Sequence, residues 1–322
     1  MRKCLCVGID SYQYASDLHG CVNDAVSVKE VLARNGDGSL NFDVKTLTAT
    51  SENSYVTKKE LNDAIVDLFA SDSEIALLYF SGHGSIDDNG GYLCTSEVKC
   101  GKEGLSLHDV MKAVNTSRAR NKIIILDSCH SGALGDVPLM PEFTVINSGT
   151  VILSACENSG YANEEDGHGV YTGLLIEALY GGAMNLLGEV SPGGVYSYID
   201  RSLGAWEQRP VFKANIKESV SLRKNTPPIS IEELRKITEL FPDPSYEYPL
   251  DSSYEPDKHE VEDKTKDEKH EHIFKLLQKY VKLSLVIPRG EDHMYYAAIH
   301  NKHCALTAQG QHYWRLVKKE TI

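Results

Sequence analysis

Ile75-Ala76-Leu77-Leu78-Tyr79-Phe80-Ser81-Gly82-His83-Gly84 and Ile123-Ile124-Ile125-Leu126-Asp127-Ser128-Cys129-His130-Ser131-Gly132 are two apolar runs that end alike. Each stops at a small-residue turn that carries a reactive side chain. A short unbroken apolar run bounded by turn residues reads as a strand buried on both faces. Lys3–Ile9, Phe42–Leu47 and Thr150–Ala155 read the same way, as do Ile75–Ser81 and Lys122–Leu126 within the two quoted runs. Helical patterns lie between them. Ala25-Val28-Val31-Leu32 follows Asn23 and Asp24, either of which could cap a helix. Leu61-Ile65-Leu68-Phe69 follows Thr57 and Glu60, spaced as a capping box, and Leu174-Leu175-Ala178-Leu179 runs from Thr172 to Gly181-Gly182. Strands alternating with helices predict an α/β fold, a three-layer α/β/α sandwich on a mostly parallel sheet. In such sheets function gathers at loops beyond the carboxyl ends of the strands.

Those loops carry the chemistry. A free thiol is mostly protonated at neutral pH, so a nucleophilic Cys129 wants an imidazole beside it. If the two strands are neighbours, His83 faces Cys129 across a cleft and can manage its proton. His130 is a poorer partner, because adjacent residues in a turn point apart. The glycines of both loops permit tight turns and close backbone approach, and N–H groups at Gly84 and Cys129 are candidate oxyanion donors.

The rest of the chain narrows the class. Its 322 residues predict one large domain and a smaller one. Apolar residues at 41% are enough for a sizeable core, and a net charge of −13 argues against a nucleic-acid coat or a binder of anionic membranes. No apolar run reaches the length of a spanning helix. Met1-Arg2-Lys3 leads into a run that Asp10 ends early, so it reads as a first strand and not as a signal peptide. A cytoplasmic location is expected, and the eight scattered cysteines fit it, with no CxxC pair to suggest zinc.

Charge and proline content divide the chain at residue 224. Residues 225–272, with Pro227, Pro228, Pro242, Pro244, Pro249 and Pro256 and a charge-dense run from Asp257, read as a solvated linker with a short helix at Ile231–Leu240. Residues 273–322 carry 8 basic and 3 acidic side chains and are patterned again, with a helix face at Ile273-Leu276-Leu277-Tyr280-Val281. Leu306-Thr307-Ala308-Gln309-Gly310 resembles the third helix and wing entry of winged-helix domains. The sequence therefore divides into 1–224, the linker and a small winged-helix-like domain at 273–322. That tail is a candidate contact for an activating or sensor protein. Nucleic-acid binding is not expected of it, because its positive charge is modest.

Ser81-Gly82-His83-Gly84 with Asp127-Ser128-Cys129-His130-Ser131-Gly132 resembles the caspase-like cysteine proteases, nearest the metacaspases and bacterial caspase homologues. His83 and Cys129 stand 46 residues apart, close to the interval of about 50 typical of caspases. Val7-Gly8-Ile9, Gly20-Cys21-Val22-Asn23-Asp24-Ala25, Ser154-Ala155-Cys156, Gly169-Val170-Tyr171-Thr172 and Gln208-Arg209-Pro210-Val211 extend the likeness, in order, to about residue 216. The resemblance implies a caspase-haemoglobinase sandwich and a peptide-bond hydrolase without an organic cofactor, with Cys129 as nucleophile and His83 as general acid and base. It also implies cleavage of proteins after Arg or Lys, in an acidic S1 pocket at Cys21, Asp24, Ser81 and Asp127. Paired carboxylates suit a guanidinium, which they can bind by charge-assisted hydrogen bonds. Asp24 retains a second reading as a helix cap, and Asp127 one as a buried loop acceptor. Many metacaspases are switched on by calcium, and Asp136 falls where an acidic ligand is common, with Asp87, Asp88 and Asp109 as companions. These acids lack the compact spacing of a dedicated calcium loop. By analogy the chain is a regulated effector in bacterial defence or cell suicide. The alternative is a catalytically silent adaptor acting by protein–protein binding.

Overall fold

The structure is a computed structural model that describes residues 1–51, 54–88, 90–99, 103–128, 136–137, 140–144, 146–155, 164–165, 168–204, 209–256 and 267–322. It forms two units, Met1–Pro227 and Pro228–Ile322. The first unit opens with β1 (Arg2–Ile9), α1 (Cys21–Ala33), β2 (Asp43–Ala49), α2 (Lys58–Ala70) and β3 (Ile75–Ser81). A small antiparallel sheet of β4 (Gly84–Asp87), β5 (Gly90–Leu93) and β6 (Leu105–Ser106) leads into α3 (Leu107–Asn115) and β7 (Asn121–Asp127). The hairpin of β8 (Asp136–Val137) and β9 (Met140–Thr144) precedes β10 (Thr150–Ser154), and β11 (Glu164–Glu165) pairs with β12 (His168–Gly169) ahead of α4 (Val170–Glu177). Then come β13 (Glu189–Val190), α5 (Pro192–Ser202), β14 (Val211–Asn215) and β15 (Arg223–Lys224).

Six strands make the central sheet in the order β14-β10-β7-β3-β1-β2. All pairings are parallel except that of β14 with β10. Every residue of β3 and β7 is buried, as expected for strands covered on both faces. Their side chains alternate between two cores. Ala76, Leu78, Phe80, Ile124 and Leu126 pack towards α2 and α3, while Ile75, Leu77, Tyr79, Ile123 and Ile125 pack towards α1, α4 and α5. The α/β/α sandwich read from the sequence is the observed architecture, and β14 is a sixth strand that the reading did not include.

Helix boundaries differ in two places that matter. Helix α1 begins at Cys21, before both expected caps, and its N-cap is Gly20, which has no side chain to offer. The Asp10 carboxylate supplies the cap from the loop after β1, accepting the N–H groups of Cys21 at 2.9 Å and Val22 at 3.2 Å. Asp24 is thus an interior residue of the first turn and not a cap. Helix α4 begins at Val170, before Thr172, and opens into a π turn at Ala178–Gly182. The box at Thr57 and Glu60 caps α2 as its spacing requires.

The second unit contains α6 (Ile231–Arg235), α7 (Ile237–Leu240), β16 (Glu247–Pro249), α8 (Glu268–Lys282), β17 (Val286–Arg289), α9 (Met294–Ile299), β18 (His303–Leu306) and α10 (Ala308–Lys318). Residues 228–256 are therefore folded into it and do not act as a solvated linker. Phe241 is fully buried, Leu250 N–H donates to Lys302 O, and β16 pairs with β18. Of the prolines that suggested a linker, Pro249 lies on the edge strand β16 beside the central β18, where a proline is tolerated. Residues 257–266, the charge-dense run, lie outside the described residues. Leu306 ends a strand and Thr307 caps α10 through the Gly310 N–H at 2.9 Å, so this motif starts a helix where the winged-helix likeness had one ending. Among the described residues no strand follows α10. No described helix is long and apolar enough to cross a membrane.

Candidate active site

The register of the two decisive strands sets the site. β3 and β7 are neighbours, and Ser81 lies directly opposite Asp127 at their carboxyl ends. The Gly82 N–H donates to Asp127 O at 3.3 Å, tying the two exits together. His83 follows on one exit and Cys129 two residues beyond the end of the other. Cys129 itself lies outside the described residues, as do His130 and Cys156.

His83 is held from three sides by parts of the loop after β1. Its backbone N–H donates to the Tyr12 hydroxyl at 2.8 Å, and its ring packs on that of Tyr12 with centroids 4.6 Å apart. Gly82 makes this possible, since a Cβ there would lie 2.7 Å from the Tyr12 oxygen. The third tie is Nε2 of His83 to the carbonyl oxygen of Ser16 at 2.8 Å. A carbonyl only accepts, so Nε2 carries a proton, and the neutral tautomer that fits this bond has its lone pair on Nδ1. That tautomer can take a proton at Nδ1. Gly84, the oxyanion candidate, opens β4 opposite Leu93.

On the α1 and α4 side of the same strand ends the four proposed pocket residues gather. Asp24 is 1% exposed and Asp127 4%. The Ser81 hydroxyl donates to Oδ2 of Asp24 at 3.2 Å, as does the Gly169 N–H. The Thr172 hydroxyl donates to Oδ2 of Asp127 at 2.7 Å. Gly169 lies against both acids, and a Cβ on it would sit 2.5 Å from Asp127 Oδ2 and 3.3 Å from Asp24 Oδ2. The acidic pocket implied by the resemblance is thus a closed cluster, with the main chain of Gly169 over the carboxylates. Burial pushes the Cys21 thiol well up, the charges of Asp10, Asp127 and Asp24 push it further, and a hydrogen bond with Ser81 partly offsets them. Cys21 therefore stays a neutral thiol. Cys4, Cys6, Cys94 and Cys304 are buried thiols as well.

Tyr12, Ser16 and Thr172 were not singled out by sequence reasoning as parts of the site. For Tyr12 and Ser16 a signal was available, because they follow the carboxyl end of a parallel strand. For calcium, the backbone of Asp136 lies in β8, and its side chain is outside the description. Asp87, Asp88 and Asp109 belong to no cluster of three or more ligating side chains among the described residues.

Residues 1–218 match the family model described as Caspase domain. The chain belongs to the caspase domain family. Among its curated relatives are Metacaspase-1 of Schizosaccharomyces pombe, 26% identical over 151 residues, and Metacaspase-6 of Arabidopsis thaliana, 30% identical over 149 residues. Each alignment covers 42% of this chain, and 35% and 39% of the respective relative. The chain thus spans little more than a third of the length of these relatives. Solved structures agree on the caspase fold. Protein GSU0716 of Geobacter sulfurreducens superposes with a TM-score of 0.52 at 18% identity, covering 70% of this chain and 98% of that one. Caspase-1 of Spodoptera frugiperda gives 0.50 at 12%, covering 70% and 90%.

Proposed function

We propose that the caspase-domain unit is a cysteine endopeptidase that cleaves proteins after Arg or Lys. The observation that carries this reading is the pinned His83 tautomer, with its lone pair on Nδ1, at a strand end beside the one that leads to Cys129. Cys129 gives its thiol proton to Nδ1 of His83, and the thiolate attacks the scissile carbonyl carbon. N–H groups at Gly84 and Cys129 take the negative charge that develops on the carbonyl oxygen. The imidazolium returns its proton to the leaving amine, which departs and leaves a thioester on Cys129. Water, losing a proton to His83, then attacks the thioester, and the new carboxylate and the free thiol result.

The carboxylates of Asp24 and Asp127 supply the preference for a cationic side chain. Both are buried with hydroxyl donors around them, an environment where opposite charge is worth more than in water. A guanidinium reaches them by exchanging with the Gly169 main chain. Regulation belongs to the same proposal: a partner protein bound at the second unit releases cleavage, in a defence or cell-suicide setting. The adaptor alternative is not favoured by the family match. Fluorogenic peptides ending in Arg and in Asp test the reading. Only the Arg peptide is hydrolysed, and Cys129→Ala removes the turnover. Equal hydrolysis of both peptides refutes the pocket assignment, and an active Cys129→Ala protein refutes the nucleophile.

A further inference from the structure

A hydrogen-bond chain runs to the Asp127 carboxylate through Tyr79 and Thr172, two residues that the mechanism above does not use. Tyr79, on β3, is fully buried on the α1 and α4 side of the sheet. Its hydroxyl lies 2.6 Å from Oγ1 of Thr172, and Thr172 is fully buried in the first turn of α4. The Thr172 hydroxyl has one proton, and that proton goes to Oδ2 of Asp127 at 2.7 Å. Tyr79 must therefore be the donor to Thr172, and the chain has one sense: phenol to hydroxyl to carboxylate. Burial raises the Tyr79 phenol well above its ordinary value and the charges of Asp127 and Asp24 raise it further, with hydrogen bonds to Thr172 and Ser81 offsetting part of the rise. It keeps its proton at any working pH. Each donor polarises the next, which strengthens the bond that reaches the carboxylate.

We propose that Thr172, held by Tyr79, is a positioning residue that aims the Asp127 carboxylate and so sets the selectivity for a cationic P1 side chain. The inference rests on the endopeptidase reading and deepens it. Asp127 ends β7, so its backbone is fixed by the sheet, but its side chain turns about two torsions. A charged oxygen held by a neutral hydroxyl in a buried site gives up much of that freedom. Neither Thr172 nor Tyr79 touches the scissile bond in this account. Their effect passes through Asp127 and falls on substrate binding, while proton transfer between His83 and Cys129 is untouched.

The test uses the full chain and three matched peptides with Arg, Lys or citrulline at P1. Citrulline keeps the shape of arginine without its charge. In Thr172→Val, which keeps the side-chain shape, kcat/KM for the Arg peptide falls roughly tenfold, through KM. Cleavage of the citrulline peptide, which lacks the charge, falls much less, so the Arg-to-citrulline ratio drops. Thr172→Ser, which keeps the hydroxyl, restores the ratio. Tyr79→Phe, which removes only the far donor, lowers the ratio in the same direction by about threefold, and it stands in if the valine protein does not fold. An equal loss on all three peptides, or an unchanged ratio in both variants, overturns the positioning role and leaves the endopeptidase reading intact. A wild-type protein that cleaves peptides but has no preference for Arg over citrulline overturns the pocket assignment instead.

Discussion

The Tyr171 hydroxyl is fully enclosed and has no hydrogen-bond partner among the described residues, one position before Thr172, whose own hydroxyl is fully used. Burial raises its pKa well above the ordinary phenol value, and the charge of Asp127 adds to the effect. An unsatisfied buried donor costs about 1–3 kcal/mol. Tyr171→Phe should therefore raise the thermal midpoint, or leave it unchanged, with cleavage of an Arg peptide retained. Loss of activity without loss of stability would mean that the phenol serves the substrate. The same scale shows where the sequence was readable. His83 and Asp127 stand out because Asp127 ends one unbroken apolar strand and His83 lies two residues past the end of another. The two readings of Asp24 could not be separated, because an Asp near a helix start caps in most contexts. What decides is Asp10, eleven residues before Cys21, which takes the capping role and leaves the Asp24 carboxylate to Ser81 and Gly169. No local pattern reveals such an exchange.

Helix α1 carries Cys21 and Asp24, and its distance from β1 depends on Gly8. A Cβ on Gly8 would overlap the Cys21 carbonyl oxygen and lie 2.8 Å from Ala25 Cβ. Backbone on one side and a helix on the other leave nothing flexible to give way. Gly8→Ala should destabilise the unit by about 1–3 kcal/mol and raise KM for an Arg peptide, because the helix start shifts with Asp24 on it. Gly193→Ala is the control. A Cβ at Gly193 meets nothing within 4 Å, and alanine in a helix is better than glycine by about 0.5–1 kcal/mol, so the midpoint should hold or rise. The parallel strands β1, β3, β7 and β10 were legible for a physical reason: burial on both faces removes polar residues and leaves continuous apolar runs. Strand β2, by contrast, lies at the sheet edge and is buried only at Ala49. Strand β14 has no such signature. It sits at the edge, antiparallel, and its Val211-Phe212-Lys213-Ala214-Asn215 is at most half-buried.

Across the whole chain, composition separated the caspase-domain unit from the second unit but misjudged the segment after residue 227. Residues 225–272 are proline-rich and acidic, and that balance hid a few large anchors. Phe241 is fully buried, its carbonyl accepts from Trp314 Nε1 at 2.6 Å, and Leu234 and Ile237 pack in the same unit. Composition averages over a window, whereas a few fully buried apolar side chains are enough to hold a short segment to a small core. The resemblance of the last fifty residues to a winged helix failed locally for a related reason. Leu-Thr-x-x-Gly is also what a strand end followed by a threonine cap looks like, and Gly310 is there because α10 crosses close to the Leu285 carbonyl. The proposed endopeptidase activity requires that the imidazole pinned by Ser16 and Tyr12 activate the thiol of Cys129, two residues after β7 in the chain. Labelling the full chain with an Arg chloromethylketone and locating the adduct by mass spectrometry tests it most directly. The account predicts a single adduct on Cys129 that His83→Ala abolishes, while an adduct on another cysteine, or equal labelling without His83, would contradict it.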